Sequence, residues 1–308
     1  MNLEQSRSII DAEGEIFEHV KDRRHGTSIY ISADGSKYLR IGQHIEVRNE
    51  LDLHKQLLDK GFPIASILAE GSLDTLSYWV EESLGKTTFG ERFDKEMIAA
   101  GRIGDESFDQ FLRIIERFHA AQESTIEHRR VDTETLATNI GLHQLVADLP
   151  LEKEKILKIW EKMVHELENV PVCFTHGDFL PNNVLEKGVI DLEDHFFGPI
   201  GYDILNPITT PYWFPKEPTQ GFQRWSWFSE SQLKRYLEVV DTYEFQGNTW
   251  STRDFFDPLF LLKAIWWTSG NGKSSHLQLW RNQRLLILID KYIQSESLYS
   301  YWWEQKDV

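Results

Sequence analysis

Residues 175–194 read THGDFLPNNVLEKGVIDLED, and the rest of the chain is organised around this stretch. It places His176, Asp178, Asn183 and Asp191 within sixteen residues. The five-residue step from Asp178 to Asn183 lets one loop present a carboxylate and a side-chain amide side by side. Asp191 follows a second short apolar run. Carboxylate and amide oxygens are ligands of hard cations such as Mg²⁺.

The same residue types also occur in ordinary turns, because Asp and Asn side chains bond readily to nearby backbone. Gly177-Asp178 alone favours that explanation. The conjunction of an apolar strand, His-Gly-Asp, the spaced Asn and a later Asp favours catalysis. In kinase-type loops the first Asp takes the acceptor's proton, and the Asn and second Asp hold magnesium.

Composition restricts the class of protein. The chain has 308 residues with 41% hydrophobic and 27% charged residues, which is typical of a folded globular protein. Its net charge of −16 disfavours nucleic acid as a partner. A nucleoside triphosphate would need magnesium and local positive charge, whereas a cationic acceptor would be attracted. Solubility alone is the simpler explanation of the acidity.

Cys173 is the one cysteine, so no disulfide can form within the chain. No apolar run approaches the ~18 residues of a membrane span. We therefore expect a cytoplasmic protein with no membrane association, either a monomer or a homodimer.

The first eighty residues are predicted to be mostly β-strand. A turn is expected at 33–36 and another at Gly71-Ser72, and Gly61 is expected to end the helix. Residues 1–13 are expected to form a helix or an arm. The predicted strands are 16–20, 27–32, 37–41, 64–68 and 75–80, and the predicted helix is 46–60.

The remainder is predicted to be mostly helical. Asp105 or Ser107 is a candidate cap for the first of these helices. Short strands are expected at 172–174, 184–185 and 189–190. The predicted helices are 108–122, 132–149, 151–168, 229–242, 258–268 and 277–295.

Residues 175–204, THGDFLPNNVLEKGVIDLEDHFFGPIGYDI, resemble the HGDxxxxN signature of the aminoglycoside phosphotransferase and choline kinase superfamily. The resemblance continues more weakly upstream, through the helix that ends in FHAAQ. It implies an α+β, bilobal protein-kinase-like fold. A β-rich nucleotide-binding lobe at 1–83 would precede a mainly helical lobe at 84–308, which would carry the catalytic loop and the acceptor pocket, with the nucleotide between the lobes.

The resemblance also implies residue roles. Asp178 would be the catalytic base, Asn183 and Asp191 the magnesium ligands, and His176 a brace for the loop. Asp203 would be a buried support. Glu193 and Asp194 stay ambiguous between the second metal and a solvated or capping role.

The family usually has a Lys on a central strand where this chain has Arg40. Arginine can bind phosphate bidentately, so the role is retained in our interpretation, with Lys37 as the fallback. Glu50 is the expected partner of Arg40, and Glu46 is the second choice. An exposed, purely solvated charge is an equal alternative for each.

Three further residues are assigned to the nucleotide. Gly26 is the only glycine of the expected phosphate-covering loop. Glu81 and Ser83 lie in the connector 80–83, whose backbone would pair with the nucleobase.

Aromatic side chains of the C-terminal half are candidates for acceptor-pocket walls, although core packing explains them as well. Core packing is the preferred explanation for the pair at 266–267, and a packed terminal anchor for the pair at 302–303. The candidates are Tyr212, Trp213, Phe214, Trp225, Trp227, Phe228, Trp266 and Trp267.

The sequence therefore predicts a magnesium-dependent kinase that transfers phosphate from ATP or GTP to a hydroxyl of a small molecule. Aminoglycosides, sugars and amino alcohols are the candidate acceptors. A catalytically weak nucleotide-binding regulator is the alternative. A protein kinase is disfavoured, because the His-Arg-Asp, Asp-Phe-Gly and Ala-Pro-Glu motifs are missing from the sequence.

Overall fold

A computed structural model describes residues 9–23, 26–214, 228–269 and 275–305. These residues form two compact units. The first contains the described residues up to Thr88 together with Leu185–Ile190. The second contains Phe89–Val184 and the described residues from Asp191 onward. The predicted α+β class is confirmed, because the strands concentrate in the first unit and the helices in the second.

The first unit is built on a six-stranded antiparallel sheet in the order β1-β2-β3-β4-β6-β5. Its single helix, α1, follows β4 and ends before Gly61, whose φ of 84° suits a glycine. The elements are β1 Ile9–Ala12, β2 Glu15–Asp22, β3 Thr27–Ser32, β4 Lys37–Gln43, α1 His44–Asp59, β5 Ile67–Leu73 and β6 Leu76–Glu82.

Besides the strand predicted at 64–68, which begins only at Ile67, two predictions for this unit were wrong. The described part of 1–13 is strand β1, which pairs with β2, and not a helix. Gly71-Ser72 lies inside β5, and the hairpin turn comes at Asp74-Thr75, where Asp74 has φ 55°. The turn was predicted too early because β5 stays paired with β6 as far as Leu73.

Alternation along β4 divides the faces of the sheet. Leu39 and Ile41 are buried and pack in one core with Tyr30 and Val80. Arg40, between them, points to the opposite face, where it stands over the ring of Trp79.

Leu185–Ile190 docks within the first unit although it follows the catalytic loop in the chain. The amide of Val189 donates to the carbonyl of Pro63 (2.7 Å), and that of Lys187 donates to Leu84 (3.1 Å). Leu185 packs against Ala65 and Leu84. The strands predicted at 184–185 and 189–190 are isolated bridges around a tight turn.

The second unit is helical apart from two small antiparallel hairpins, β7 with β8 and β9 with β10. Its described elements are α2 Phe89–Ala100, α3 Asp105–Glu123, α4 Thr133–Asn139, α5 Leu142–Asp148, α6 Lys153–Glu166, β7 Val172–Thr175, β8 Phe196–Pro199, α7 Asn206–Thr209, α8 Glu230–Val240, β9 Thr242–Phe245, β10 Asn248–Ser251, α9 Phe256–Ser269, α10 Ser275–Ile293 and α11 Leu298–Gln305.

Three features of this unit differ from expectation. The helix predicted at 132–149 is two helices, because Gly141 takes a φ of 73° between them. Helix α3 has Gly104 at its N-cap, so Asp105 and Ser107 lie in its first turn. Helix α2 and the hairpin β9–β10 have no counterpart in the predictions.

Helix α3 packs against α2, α8 and strand β7 in the second unit. Its apolar stripe is fully buried at Phe108, Phe111, Ile115 and Phe118. No described helix is both long enough and apolar enough to cross a lipid bilayer.

Candidate active site

The candidate catalytic loop, residues 176–183, begins where the buried strand β7 ends. His176, Gly177 and Asp178 follow directly, and Asn183 lies in a short 3₁₀ turn, Pro181–Asn183. The Nδ2 group of Asn183 donates to the backbone carbonyl of Asp178 (2.7 Å) and to its Oδ2 (3.3 Å). The structure therefore brings the carboxylate and the amide side by side.

The Asp178 carboxylate is partly withdrawn from water. Its Oδ1 is buried and accepts no hydrogen bond from the described residues. Burial raises the pKa of Asp178, while His176 and Lys263 oppose that rise. An acceptor oxygen with no protein donor is suited to receive a proton from a ligand.

Asp203 supports the loop from beneath, as the resemblance implied. Its Oδ2 accepts from the amide of His176 (2.5 Å) and its Oδ1 from the amide of Gly177 (3.0 Å). The side chain is 1% exposed, and burial raises its pKa. Gln122 donates a further hydrogen bond to this buried carboxylate (3.0 Å), so it is well satisfied by the described residues.

Gln122, the last residue of FHAAQ, was not singled out from the sequence. Its Nε2 group bridges the carbonyl of Phe174 (2.9 Å) and Asp203, and Tyr243 donates to its Oε1 (3.3 Å). The sequence signal that could have identified Gln122 is its polar side chain on the otherwise apolar, buried face of helix α3.

His176 is fully buried, with its ring 5.8 Å from that of Phe179 and 6.5 Å from that of Phe118. Its hydrogen bond to Asp203 is donated by the backbone amide. The bracing role of the His176 side chain stays a prediction.

Asp191 has a left-handed backbone, with φ 66°. Residues 192–194 form a short 3₁₀ turn after it, and the negative charge of Asp194 raises the pKa of Asp178. No group of three His, Cys, Asp or Glu side chains suited to a metal was found in the described ranges. Magnesium is commonly held by only one or two protein carboxylates plus phosphate oxygens, so the oxygens of Asn183 and Asp191 fit that ion.

In the first unit Arg40 is paired with Glu81. The Nε and Nη2 atoms of Arg40 each lie 2.9 Å from Oε1 of Glu81, and Trp79 donates its indole N–H to Oε2 (3.2 Å). Glu81 is buried, so its carboxylate is the fixed partner of this cation. The expected partner, Glu50, was the wrong choice for this contact.

Glu50 instead holds the turn between β2 and β3. It accepts from Arg23 (3.1 Å) and from the hydroxyl of Thr27 (3.3 Å). Gly26 lies in this turn with φ 83°, and its amide donates to the carbonyl of Arg23. The fallback cation, Lys37, contacts Glu15.

The connector amides are engaged within the first unit. Ser83 donates its backbone N–H to Ser36 (2.8 Å), and Glu82 donates to Ser66 (3.0 Å). A nucleobase contact at these two residues would therefore have to use their carbonyl groups.

The aromatic candidates are mostly core residues. Tyr212 and Trp213 are buried and pack around Phe260, and Trp267 is also buried. Phe228 packs among the rings of α2 and α3. Trp225 and Trp227 lie outside the described residues, and only Phe214 and Trp266 of the remaining candidates are half-buried.

Core packing also explains the C-terminal pair. Trp302 is fully buried, with its ring 5.3 Å from that of Phe256 on α9. The packed terminal anchor expected from the sequence is present there.

Residues 31–245 match the family described as "APH: Phosphotransferase enzyme family". The chain belongs to that family. No curated protein sequence matches the chain closely enough to count as a relative.

Solved structures agree on the fold. The apo form of a thermostable mutant of aminoglycoside phosphotransferase APH(4)-Ia has a TM-score of 0.52 and 13% identity, covering 92% of this chain and 95% of that one. A ternary complex of that protein with AMP-PNP and hygromycin B gives the same TM-score and identity, with coverage of 93% and 96%.

Proposed function

We propose that the chain is a magnesium-dependent phosphotransferase that moves a phosphoryl group from ATP or GTP to a hydroxyl of a small molecule. The observation that supports this best is the pair of Asp178 and Asn183, with Oδ1 of Asp178 buried and without a described donor. The family match gives the reaction class.

Asp178 is the base in this proposal. Its carboxylate orients the acceptor hydroxyl and takes the hydroxyl proton as the new P–O bond forms. Asn183 holds the backbone carbonyl and the Oδ2 of Asp178, so the carboxylate is fixed before the acceptor arrives. Fixed geometry is the main contribution a protein makes to phosphoryl transfer.

The nucleotide that donates the phosphoryl group would be bound through magnesium and through a cationic side chain. Asn183 and Asp191 would hold magnesium, which when bound supplies neutralising charge for the triphosphate. Arg40, fixed by Glu81, would bind phosphate oxygens. His176 and Asp203 hold the loop that carries the base.

The acceptor is a hydroxylated small molecule. Cationic acceptors such as aminoglycosides suit the net charge of −16, and hygromycin B is bound in the APH(4)-Ia complex. Sugars and amino alcohols remain in the proposed range. The single buried thiol, Cys173, is consistent with action in the cytoplasm.

The test is a phosphorylation screen over aminoglycosides, macrolides, amino alcohols, homoserine and sugars, with both ATP and GTP. With the acceptor found, Asp178→Asn should lower kcat by about three orders of magnitude or more, because a positioned base and its orientation are both lost. Nucleotide binding should be retained.

Asp148→Asn, an exposed site on α5, serves as the control and should leave kcat unchanged. Full activity in Asp178→Asn would remove Asp178 as the base. Nucleotide binding with no turnover on any acceptor would favour the regulatory alternative.

A further inference from the structure

Helix α9 carries one basic residue, Lys263, in the otherwise apolar run FLLKAIWW. Its side chain is fully buried. Transferring an ammonium group out of water is expensive unless nearby groups compensate it. A lysine at this position therefore needs specific partners.

Those partners belong to the catalytic loop and its support. The ammonium donates to the carbonyl of Gly177 (3.1 Å) and lies 3.4 Å from the ring centre of Tyr202. The carboxylates of Asp203 and Asp178 also act on it, and both raise its pKa. Burial is the larger effect and lowers the pKa of Lys263 to about 7.

The contact with Gly177 completes a series along the backbone. The peptide units that contain the amides of His176 and Gly177 are held by Asp203. The next unit, which joins Gly177 to Asp178, is held by Lys263 through its carbonyl. The unit after Asp178 is held by Asn183.

Four consecutive peptide units around Asp178 are therefore each bonded to a side chain. Three of the four bonds come from the predicted residues Asp203 and Asn183. Lys263 supplies the bond next to the base, on the N-terminal side of Asp178.

We propose that Lys263 is a positioning residue for phosphoryl transfer, which fixes the peptide unit preceding Asp178. It acts through the loop and not on the substrates. The proposal rests on the proposed function in one respect, namely that Asp178 is the base.

The kinetic test compares Lys263→Met with Lys263→Gln. Methionine removes both the hydrogen bond and the charge, whereas glutamine can still donate to Gly177. We expect Lys263→Met to lower kcat by about 100-fold, since small misplacement of a reacting group costs that much. The KM for nucleotide should change by less than about threefold, because ground-state binding is separate from positioning.

Lys263→Gln should recover part of the loss, to within about tenfold of the unaltered protein. Lys234→Met, which removes an exposed lysine of α8, is the matched control and should keep kcat and KM. A kcat for Lys263→Met within about threefold of the unaltered protein overturns the proposal. Should Lys263→Met fail to fold, Lys263→Leu, which removes the same hydrogen bond and charge, takes its place, and a kcat within about threefold of the unaltered protein overturns the proposal.

A second measurement needs no substrate. Hydrogen exchange at the amides of His176, Gly177 and Asp178 should be faster in Lys263→Met and unchanged in Lys234→Met. If no acceptor is ever phosphorylated, this measurement still tests the positioning role separately from the proposed function. Unchanged protection of these three amides overturns the proposal.

Discussion

At the scale of single residues, Gly177 shows how tightly the catalytic loop is built. Its φ of 84° is a conformation that other residues adopt at a cost, and a methyl group on its Cα would collide with the carbonyl of Asp194. The loop before Asp178 and the turn after Asp191 therefore lie in direct contact. Only glycine permits that approach.

Comparing Gly177→Ala with Gly247→Ala separates the cost of the positive φ from the cost of the collision with Asp194. Gly247 has nearly the same φ, 78°, with open space around its Cα. Gly247→Ala should cost about 1–2 kcal/mol of unfolding free energy and keep activity. Gly177→Ala should cost clearly more and abolish turnover, because Asp178 or Asp194 must move.

Chemical denaturation and kinetic assays of both variants provide the measurement. Equal stability losses with retained turnover in Gly177→Ala would show that the contact with Asp194 is dispensable.

His119 is a buried base with no ionic partner among the described residues. Its ring packs 4.2 Å from that of Tyr243, and burial lowers its pKa to about 4. The unfolded chain, with an ordinary histidine pKa of about 6.5, binds this proton more readily. Stability must therefore rise with pH between about 4 and 6.5 and is fully present above that range.

We expect acidification from pH 7 to 4 to remove roughly 3 kcal/mol through His119 alone. His119→Gln should lose much of this pH dependence, whereas His128→Gln, at an exposed site, should keep it. The measurement is the free energy of unfolding in urea at a series of pH values. Parallel curves for His119→Gln and the unaltered protein would contradict the assignment.

The sequence predicted which site residues lie together when they are close in the chain, and missed those that are far apart. Asp178 and Asn183 are five positions apart, so spacing alone brought them together. Lys263 bonds to the same loop, and Gln122 bonds to the strand before it and to Asp203, both from helices far away in sequence. Only the fold places them there, although a lone charge within an apolar helix is a visible signal for Lys263.

At the scale of secondary-structure elements, strand pairing decided the partner of Arg40. Alternation along β4 correctly put Arg40 on the face opposite Leu39. The register then sets Arg40 across from Trp79 on β6, with Glu81 two residues further on the same face. Strand β4 pairs with β6, although β5 comes between them in the chain. Reasoning from the local sequence therefore favoured Glu50, on the helix that directly follows β4.

Glu81→Gln and Glu50→Gln test this pairing. The side chains of Arg40 and Glu81 are 13% and 6% exposed, so breaking their pair should cost about 3 kcal/mol. Nucleotide affinity should fall by roughly tenfold, because Arg40 loses its orientation. Glu50→Gln should have a smaller effect on affinity.

Calorimetric titration with a nucleotide and thermal unfolding of both variants give the comparison. A larger loss of affinity in Glu50→Gln would restore the pairing that the sequence suggested.

Helix boundaries were less predictable where tertiary contacts set them. Gly141 splits the helix expected at 132–149, and its backbone runs against Ser269, whose hydroxyl donates to the carbonyl of Ile140 (2.8 Å). Ser269 ends a helix more than a hundred residues away. The sequence around Gly141 therefore does not predict its contact with Ser269.

At the scale of the whole molecule, the two units are not successive segments of the chain. Leu185–Ile190 groups with the first unit, whereas Asn183 and Asp191 on either side of it belong to the second. The polypeptide therefore passes between the units three times: after Thr88, after Val184 and after Ile190.

This path of the chain limits which segments can be exchanged between related proteins to make a chimaera. A chimaera that exchanges everything before Phe89 for the corresponding part of a relative would keep the old Leu185 and Val189 while replacing Pro63, Ala65 and Leu84 that receive them. A workable exchange would carry two inserts, and the second would lie between two of the residues assigned to the metal. Variation in the first unit is thus inherited together with the short segment that directly follows Asn183 and Val184 in the chain.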